Sequence, residues 1–597
     1  MHSIHSHFRP VPPSQTRPRP SGARGTRGVR ANLRHTPASH NRESYTQSNE
    51  SVDTVDTCRF TPPPPLSIHP SRHTRARRAP PLSTSSEMTL ATLAFLLLAS
   101  APLARAVDVD NQACATSGTQ SADFFPSTLR VSPNASVTGS ADAFVEVGRL
   151  FDVYYSRSFK VVRVKTDAAG LTAASYVLYQ CGTPTPTTYD NGTALPTNAK
   201  FFSVPVQGVA TASTTAIGVL EQLGLRDKLK LVDPSSVHAP CVQALEENNT
   251  IAASHISSNS AYWHQAINNL GSSIDMVVTD PWNTGYSNSA KDVVFDNTAA
   301  GFSMLERTEK MKFLAMFFNK EAEASAYYAD QVERWTYMSS MIAAAQGRGG
   351  VPTGYKCAWV AANPPWPPGS SGQVTYIISS AKYKRDICEA AGLKMWESTV
   401  TDSAGEYPDR ATFLADMVNV NVVIDETPAT SPSTYDKTDA FAALGFDTVS
   451  NLASDDPRPG LVLRLDKHTS DGDTAYAHAD GYTAREGLTW FEDQMVHPAL
   501  VLQDLIRLSW LNTFITPVQE GCPRFFRDMN NNDTVIKTTA ADCPTWDRAR
   551  AEKLCLAQLT SQRTTVSSLL GVSSANIGAR LVVSCVLAVI ISMTAMA

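Results

Sequence analysis

The chain of 597 residues lacks the short motifs that mark common catalytic and nucleotide-binding sites. It contains no Gly-x-Ser-x-Gly elbow, no His-Glu-x-x-His, no Gly-x-x-x-x-Gly-Lys, and no Gly-x-Gly-x-x-Gly after a predicted strand. The glycine-rich run 347–350 precedes a predicted strand, which is the wrong context for a dinucleotide site. No Cys-x-x-Cys pair is present, so structural zinc is not predicted. We therefore expect neither an enzyme nor a bound cofactor.

A strong charge of one sign is also missing. The 51 Lys and Arg nearly balance the 56 Asp and Glu, and the formal net charge is −5. No global basic field points to nucleic acid as a partner. The length is too great for one ordinary domain and is enough for two sizeable cores.

Residues 1–87 contain no lysine and no apolar periodicity, so they cannot bury enough surface to fold. They are interpreted as a disordered basic arm, a transit-like leader or, preferably, an upstream extension of the gene model, because a better start follows at Met88. Residues 88–106 form a short apolar run closing on Ala104-Arg105-Ala106, which is typical of a secretory signal peptide. If Met1 is the true start, this run would act as an internal anchor.

The carboxyl-terminal tail is apolar as well. Residues 581–597 carry no charge, and the small residues Ser573, Ser574 and Ala575 precede a short spacer ending at Arg580. This arrangement resembles a GPI-attachment signal, with a cleaved tail over about 576–597. A single-span tail anchor is the alternative. Both interpretations place the body of the protein outside the cell, on its surface.

Cysteine and asparagine usage agrees with an extracellular compartment. Apart from Cys58 and Cys585, the body holds eight cysteines, an even number that a disulfide framework requires. They are Cys114, Cys181, Cys241, Cys357, Cys388, Cys522, Cys543 and Cys555. Acceptor triplets for N-glycosylation occur at Asn134, Asn191, Asn248 and Asn532. We expect a secreted, glycosylated, surface-tethered protein.

No glycine or proline interrupts residues 305–346, which separate two α/β-patterned regions. Helix formers dominate this stretch, and apolar residues recur at helical spacing. Asn319 is a candidate cap for a second helix that would run to about Ala345, roughly 40 Å long. A lone helical bridge predicts a protein that holds a ligand between two lobes. The alternative is one more amphipathic helix in an α/β core.

Strand and helix patterns divide the rest of the body into four segments. Residues 107–200 form a Ser/Thr-rich β segment with strands at 159–164 and 176–180. The first lobe, 201–304, has strands at 204–210, 230–232, 274–278 and 292–295, and a helix from the 211–215 turn to Leu223, ended by Gly224. The second lobe, 347–516, has strands at 356–360, 420–424 and 460–464 and helices at 383–391 and 497–508. Residues 517–575 form a cysteine-containing, stapled appendix. The alternation predicts parallel sheets with right-handed crossovers.

Four runs in this order resemble the class III periplasmic substrate-binding proteins of the iron-siderophore and vitamin B12 type. They are 204–210 with the Ser213-Thr214-Thr215 turn, 306–309 through 317–324, 423–426, and 464–466 followed by 490–492, 497–498 and 500–505. The resemblance covers about residues 201–510. It implies two Rossmann-like lobes joined by one long rigid helix, with small lobe motions on binding. Where metal-binding relatives carry a histidine after the first strand, this chain has the Thr/Ser turn, so no direct metal site is expected.

Ligands of open α/β sheets bind beyond the carboxyl ends of the strands. Aromatic rings that stack on a flat ligand, with hydroxyls or an arginine at its polar edge, suit such a pocket. The candidate residues are Thr214, Thr215, His238, Trp282, Trp366, Tyr376, Glu426 and Arg464. The alternatives are loop packing for both tryptophans, a helix cap for Glu426, and pairing of Arg464 with Asp466 or Asp425. A metal cluster of His238, His255 and His264 would require the fold to bring them together.

Together with the secretory signals, the resemblance implies an extracellular solute-binding protein that captures a metal chelate, an iron-siderophore or a cobalamin- or tetrapyrrole-like compound, for uptake. Because glycosylation and the tail indicate a eukaryotic cell surface, internalisation is an alternative to delivery to a permease. The alternative function is a surface interaction or adhesion scaffold without small-ligand binding. A third, a cell-wall-modifying enzyme, would require a nucleophile and base that the sequence does not display.

Overall fold

The computed structural model describes residues 114–115, 124–125, 150–165, 172–234, 237–254, 260–280, 290–295, 301–365, 372–402, 404–429, 431–447, 452, 460–471, 486–510 and 524–545. The predicted signal peptide, the apolar tail, Asn134, Cys522 and Cys555 lie outside these residues. Within the described residues, no helix combines the length and apolar character needed to cross a membrane.

The amino-terminal segment forms a four-stranded sheet. Its strands are β1 (Phe151–Tyr155), β2 (Phe159–Lys165), β3 (Thr172–Gln180) and β4 (Lys200–Val204). They follow each other in chain order, with β1–β2 and β2–β3 antiparallel and β3–β4 parallel. The strands predicted at 159–164 and 176–180 are therefore confirmed. Buried Val162, Tyr176 and Phe202 of this sheet belong to the same apolar core as the region that follows.

The second sheet is parallel throughout its five strands. Its strands are β5 (Val209–Thr211), β6 (Leu229–Val232), β7 (Ala252–Ala253), β8 (Met276–Thr279) and β9 (Asp292–Val294), in the order β7-β6-β5-β8-β9. Three helices alternate with them, α1 (Thr214–Gln222), α2 (Pro240–Glu247) and α3 (Ser260–Leu270). Gly224 follows α1 with φ of +70°, the left-handed conformation that ends many helices, as the sequence predicts.

The single strand predicted at 204–210 is wrong, because two strands of different sheets share that run. Val204 ends β4 and Val209 begins β5. Pro205 has no N–H to donate to a sheet. Gly208 lies so close to a neighbouring segment of the backbone that an added Cβ would be 1.7 Å from the Ser273 carbonyl oxygen. The Asp275 carboxylate accepts hydrogen bonds from the backbone of residues 207 and 208, at 2.9 and 3.0 Å, and fixes this turn.

Residues 304–346 are helical, as predicted, but in three pieces. A capping box of Ser303 and Glu306 opens α4 (Met304–Glu309), which is followed by α5 (Met311–Ala315), a 3₁₀ turn and α6 (Glu321–Gln346). The prediction that Asn319 caps the last helix is wrong. Asn319 is left-handed, with φ of +52°, and its side chain contacts Lys160 and Gln180, so Lys320 occupies the cap position.

Helix α6 has 26 residues, which gives a length of about 39 Å at about 1.5 Å per residue. Its start contributes Ala324 to the core shared by the first two sheets. Further along, Trp335, Met338 and Ile342 belong to a second core, built around the next sheet. One helix therefore packs into both cores.

The third sheet is mixed. It consists of β10 (Lys356–Asn363), β11 (Thr375–Ile378), β12 (Lys394–Met395), β13 (Val422–Asp425), β14 (Leu461–Arg464) and β16 (Arg527–Asp528). The order is β11-β10-β13-β14-β16, with β12 beside β10. The pairs β10–β13 and β13–β14 are parallel, as predicted, whereas the edge strands β11 and β16 are antiparallel. For β11, the connection 364–374 is too short for a parallel crossover.

The helices of this half are α7 (Lys382–Ala390), α8 (Arg410–Met417), α9 (Lys437–Leu444), α10 (Thr489–Asp493) and α11 (Pro498–Trp510). The helices predicted at 383–391 and 497–508 correspond to α7 and α11. A two-stranded parallel pair, β15 (His468–Ser470) and β17 (Ile536–Thr538), completes the described elements.

Among the described residues, three disulfides support the predicted framework: Cys114–Cys181, Cys241–Cys543 and Cys357–Cys388. The second joins α2 to residues 302 positions away, in the carboxyl-terminal segment. That segment also supplies β16 to the third sheet, and Phe525 and Phe526 to its core. The Cys241–Cys543 disulfide therefore ties α2, a helix beside the parallel sheet, to the segment that supplies β16 to the third sheet.

Candidate ligand site at the carboxyl ends of the strands

The carboxyl end of β5 leads directly into α1 through Thr211, Ser213, Thr214 and Thr215. The Thr211 hydroxyl accepts from the Ser213 N–H and donates to its carbonyl, both at 3.1 Å, which holds the turn. Of the two predicted contact residues, Thr215 is buried and donates its hydroxyl to the Phe491 carbonyl at 2.8 Å. Thr214 remains half-buried and is the more accessible of the pair.

His238 follows β6 and is fully buried against α10. Its backbone N–H and that of Ala239 donate to the Glu492 carboxylate at 2.8 and 3.1 Å. Its ring nitrogen Nε2 lies 2.8 Å from the Thr489 hydroxyl and 3.2 Å from that of Thr538. Because Glu492 sits at the amino end of α2, its negative charge complements the helix dipole.

The two other histidines of the possible metal cluster are not found beside His238 in the described structure. His264 is half-buried on α3, and His255 lies outside the described residues. Across the part of the chain that the structure describes, no group of three His, Cys, Asp or Glu side chains is placed to hold a metal ion.

The carboxyl ends of β13 and β14 meet at a buried charge cluster. Asp425 and Arg464 are register partners, and the guanidinium contacts Asp425 at 2.6 Å and Asp466 at 2.8 Å. A third bond goes to the Thr427 carbonyl at 3.2 Å, and the guanidinium lies over the Tyr435 ring at 4.0 Å. The alternative prediction for Arg464 is an ion pair with Asp466 or Asp425, and the structure shows both ion pairs.

A second arginine extends this cluster. Arg527 on β16 contacts Asp466 at 2.8 Å and the Tyr435 carbonyl at 2.7 Å. Burial alone would lower the pKa of Arg464, but the Asp425 and Asp466 carboxylates outweigh it and hold that pKa above its ordinary value. Burial, with the Asp425 charge, raises the pKa of the Tyr435 hydroxyl. With its pKa raised, Arg464 stays charged at physiological pH, and Tyr435 stays neutral.

Glu426 follows Asp425 and forms an ion pair with Lys384 of α7, a side chain without solvent exposure. It does not act as the helix cap weighed as its alternative. The Lys384 ammonium also lies 5.3 Å from the centre of the Trp359 ring. Glu426 and Arg464 are thus brought to one edge of the third sheet.

Tyr376 lies on β11 and packs in an apolar core. Its ring stacks on Phe413, with centroids 4.7 Å apart, and only 6% of the residue is exposed. Trp282 and Trp366 lie outside the described residues. The ligand-binding roles of all eight candidate residues remain predictions.

Helix α10 is the element that the candidate list missed. Its backbone approaches α1 so closely that a Cβ added to Gly218 would lie 2.2 Å from the Glu492 carbonyl oxygen. On the other side, Trp490 packs in the core of the third sheet, with its ring 5.5 Å from Trp359. The run Trp490-Phe491-Glu492 supported the family resemblance, but nothing local in it indicates a partner on α2.

The described chain is an α/β protein with parallel and mixed sheets. Comparison with solved structures finds distant similarity to periplasmic haem-, siderophore- and iron-binding proteins. A periplasmic heme-binding protein from Pseudomonas aeruginosa is 15% identical, with a TM-score of 0.32, over 56% of this chain and 99% of that one. The petrobactin-binding protein YclQ from Bacillus subtilis is 11% identical, with a TM-score of 0.36, over 50% and 92%.

A Helicobacter pylori protein, Ceue with Ni(II) bound, is 14% identical, with a TM-score of 0.34, over 52% of this chain and 86% of that one. No protein-family model and no curated protein sequence matches the chain. At these TM-scores, the function must be argued from the residues of this chain.

Proposed function

We propose that the protein is an extracellular solute-binding protein that captures a metal chelate between the second, parallel sheet and the third, mixed sheet. One observation carries this proposal: α6 packs Ala324 into one core and Trp335, Met338 and Ile342 into the other. A continuous helix shared by two α/β cores supports the two-lobed, rigidly linked architecture that the sequence resemblance implies. A ligand would then bind beyond the carboxyl ends of β5, β6, β13 and β14.

The proposed ligand is an iron-siderophore or a cobalamin- or tetrapyrrole-like chelate, which carries its own metal. This suits a protein that offers no cluster of metal ligands among its described residues. Hydroxyls at the end of β5 would contact the polar edge of the chelate, with the half-buried Thr214 the best placed of those described. We propose no catalytic role, and no bound cofactor beyond the ligand itself.

Cell-surface tethering through a GPI-like tail or a carboxyl-terminal span belongs to the same proposal. Three disulfides agree with an oxidising, extracellular compartment. The acceptor residues Asn191, Asn248 and Asn532 are all exposed, as glycosylation requires. A transporter or an uptake receptor would receive the cargo.

A surface scaffold without small-ligand binding is the second candidate. A specific observation favours it: Thr215, His238, Glu426 and Arg464 all bind partners within the protein. A ligand that displaced those partners would do so at a cost of about 1–3 kcal/mol for each buried group left unpaired. The two candidates therefore differ in whether any chelate binds at all.

Tryptophan-fluorescence titration of the purified protein with haem, cobalamin and ferric siderophores separates the two. We expect saturable quenching by one of these chelates, weakened in Trp282→Ala or Trp366→Ala. Trp396→Phe is the matched control, because that half-buried ring is held by Asp416, at 3.1 Å, and is not one of the predicted contact residues. If no chelate changes the emission of a protein with intact circular dichroism, the scaffold function takes precedence.

A further inference from the structure

Helix α10 is held rigidly between the two cores by nearly all of its residues. Thr489 bonds to His238 and to the His468 carbonyl, at 2.8 and 3.1 Å, and Trp490 is buried in the core of the third sheet. Glu492 accepts two backbone N–H groups ahead of α2. The fifth residue of the helix, Asp493, binds Arg524 at 2.6 Å. A helix fixed in this way has little freedom to reorient a side chain that is not itself packed.

Phe491 is the exception within this helix. It is 42% exposed, whereas Thr489, Trp490, Glu492 and Asp493 are all buried. Its backbone carbonyl accepts the hydroxyl of Thr215, in the first turn of α1 at the carboxyl end of β5. The backbone of Phe491 is therefore tied to the carboxyl end of β5, where ligands of α/β proteins bind, beside a threonine predicted to contact the ligand.

We infer that Phe491 contacts the ligand of the proposed site and stacks on a planar conjugated ring of the chelate. This inference rests on the proposed function and names a residue and a ligand class within it. An aromatic ring mounted on a rigid helix binds a flat partner with little loss of side-chain entropy, because it has only two rotatable side-chain bonds. Chelates with a tetrapyrrole, corrin or catechol ring meet this requirement, and aliphatic hydroxamate chelates do not.

The test compares Phe491→Ala and Phe491→Trp with the unchanged protein, using haem, cobalamin, a ferric tris-catecholate and ferric desferrioxamine, which is an aliphatic hydroxamate. For the ring-containing chelate that binds, we expect Phe491→Ala to raise Kd about two- to tenfold and Phe491→Trp to retain binding. Tyr262→Ala is the matched control, an aromatic residue 47% exposed on α3, and it should leave Kd unchanged.

Because Phe491 is exposed, the free energy of unfolding of Phe491→Ala should lie within about 0.5 kcal/mol of that of the unchanged protein. Unfolding followed by circular dichroism measures this difference. If a ring-containing chelate binds equally well to Phe491→Ala, the inference is overturned and the proposed function stands. If desferrioxamine is the only one of the four chelates that binds, the inference is likewise overturned and the proposed function stands. If none of the four binds to the unchanged protein, both fail.

Discussion

The buried pair of Lys160 and Glu321 gives the sharpest test of how the amino-terminal sheet is joined to α6. The Lys160 ammonium, without solvent exposure, forms an ion pair with Glu321 and donates to the Met316 carbonyl and the Asn319 side chain, both at 2.8 Å. Burial lowers the pKa of Lys160 and raises that of Glu321, and in each case the partner's charge opposes the shift. Each side chain therefore depends on the charge of the other to remain ionised at this buried position.

Lys160→Met removes the positive charge and leaves the buried Glu321 carboxylate without its ion-pair partner. Breaking a buried ion pair from one side costs about 3–5 kcal/mol. The double variant Lys160→Met/Glu321→Leu replaces both groups by apolar ones, and we expect it to recover most of that loss. Urea unfolding, followed by circular dichroism, measures the free energy of unfolding of each variant.

Lys165→Met is the matched control on the same strand. Lys165 pairs with Asp152 at 2.7 Å, but both side chains are partly exposed, so we expect a loss of at most about 1 kcal/mol. If Lys160→Met lowers the free energy of unfolding no more than Lys165→Met does, the buried pair contributes no more to stability than the partly exposed one. A double variant as unstable as the single one would refute the coupling between the two groups.

Three further predictions concern the third sheet and its staple. Arg464→Leu should destabilise the protein by about 3–5 kcal/mol in urea unfolding, because Asp425 is left buried without its partner; a change below 1 kcal/mol would show that the cluster contributes little. Burial raises the pKa of Asp504 to about 6, although the N–H bonds from residues 524 and 525 oppose this shift. The stability that protonated Asp504 contributes is therefore fully present below about pH 3.8 and is lost as the pH rises through about 6. Asp504→Asn should remove this component, about 3 kcal/mol, from unfolding free energies measured between pH 4 and 7; an unchanged pH slope would contradict the assignment. Replacing Cys241 and Cys543 together by serine should cost about 2–5 kcal/mol, seen as a lower melting temperature without reductant, and an unchanged melting temperature would count against the staple.

Much of the fold could be predicted because its strands and helices have strong local patterns. Buried parallel strands such as 356–360 and 420–424 are mostly apolar, and no long-range information is needed to recognise them. The error at 204–210 has the opposite origin. Gly208 permits a contact with Ser273, and only the folded chain shows that the polypeptide changes sheets there.

The candidate site could be predicted only in part. The carboxyl-end rule correctly selected residues such as Arg464 that lie at strand ends, and its pairing with Asp425 was foreseeable from charge. The contact between His238 and Glu492 joins residues 254 positions apart, and no local pattern encodes such a partner. Asn319 illustrates a third limit: its sequence context favours a helix cap, but the buried Lys160 side chain recruits it instead.

Capture of one metal chelate per chain can be measured by equilibrium dialysis with metal analysis. The intact protein would be dialysed against haem, cobalamin and ferric siderophores in turn, and bound iron or cobalt measured by mass spectrometry. We expect one of these chelates to reach a stoichiometry of one metal per chain and to be displaced by an excess of its metal-free chelator. Protein that is folded and fully disulfide-bonded yet retains no metal from any of them would contradict it.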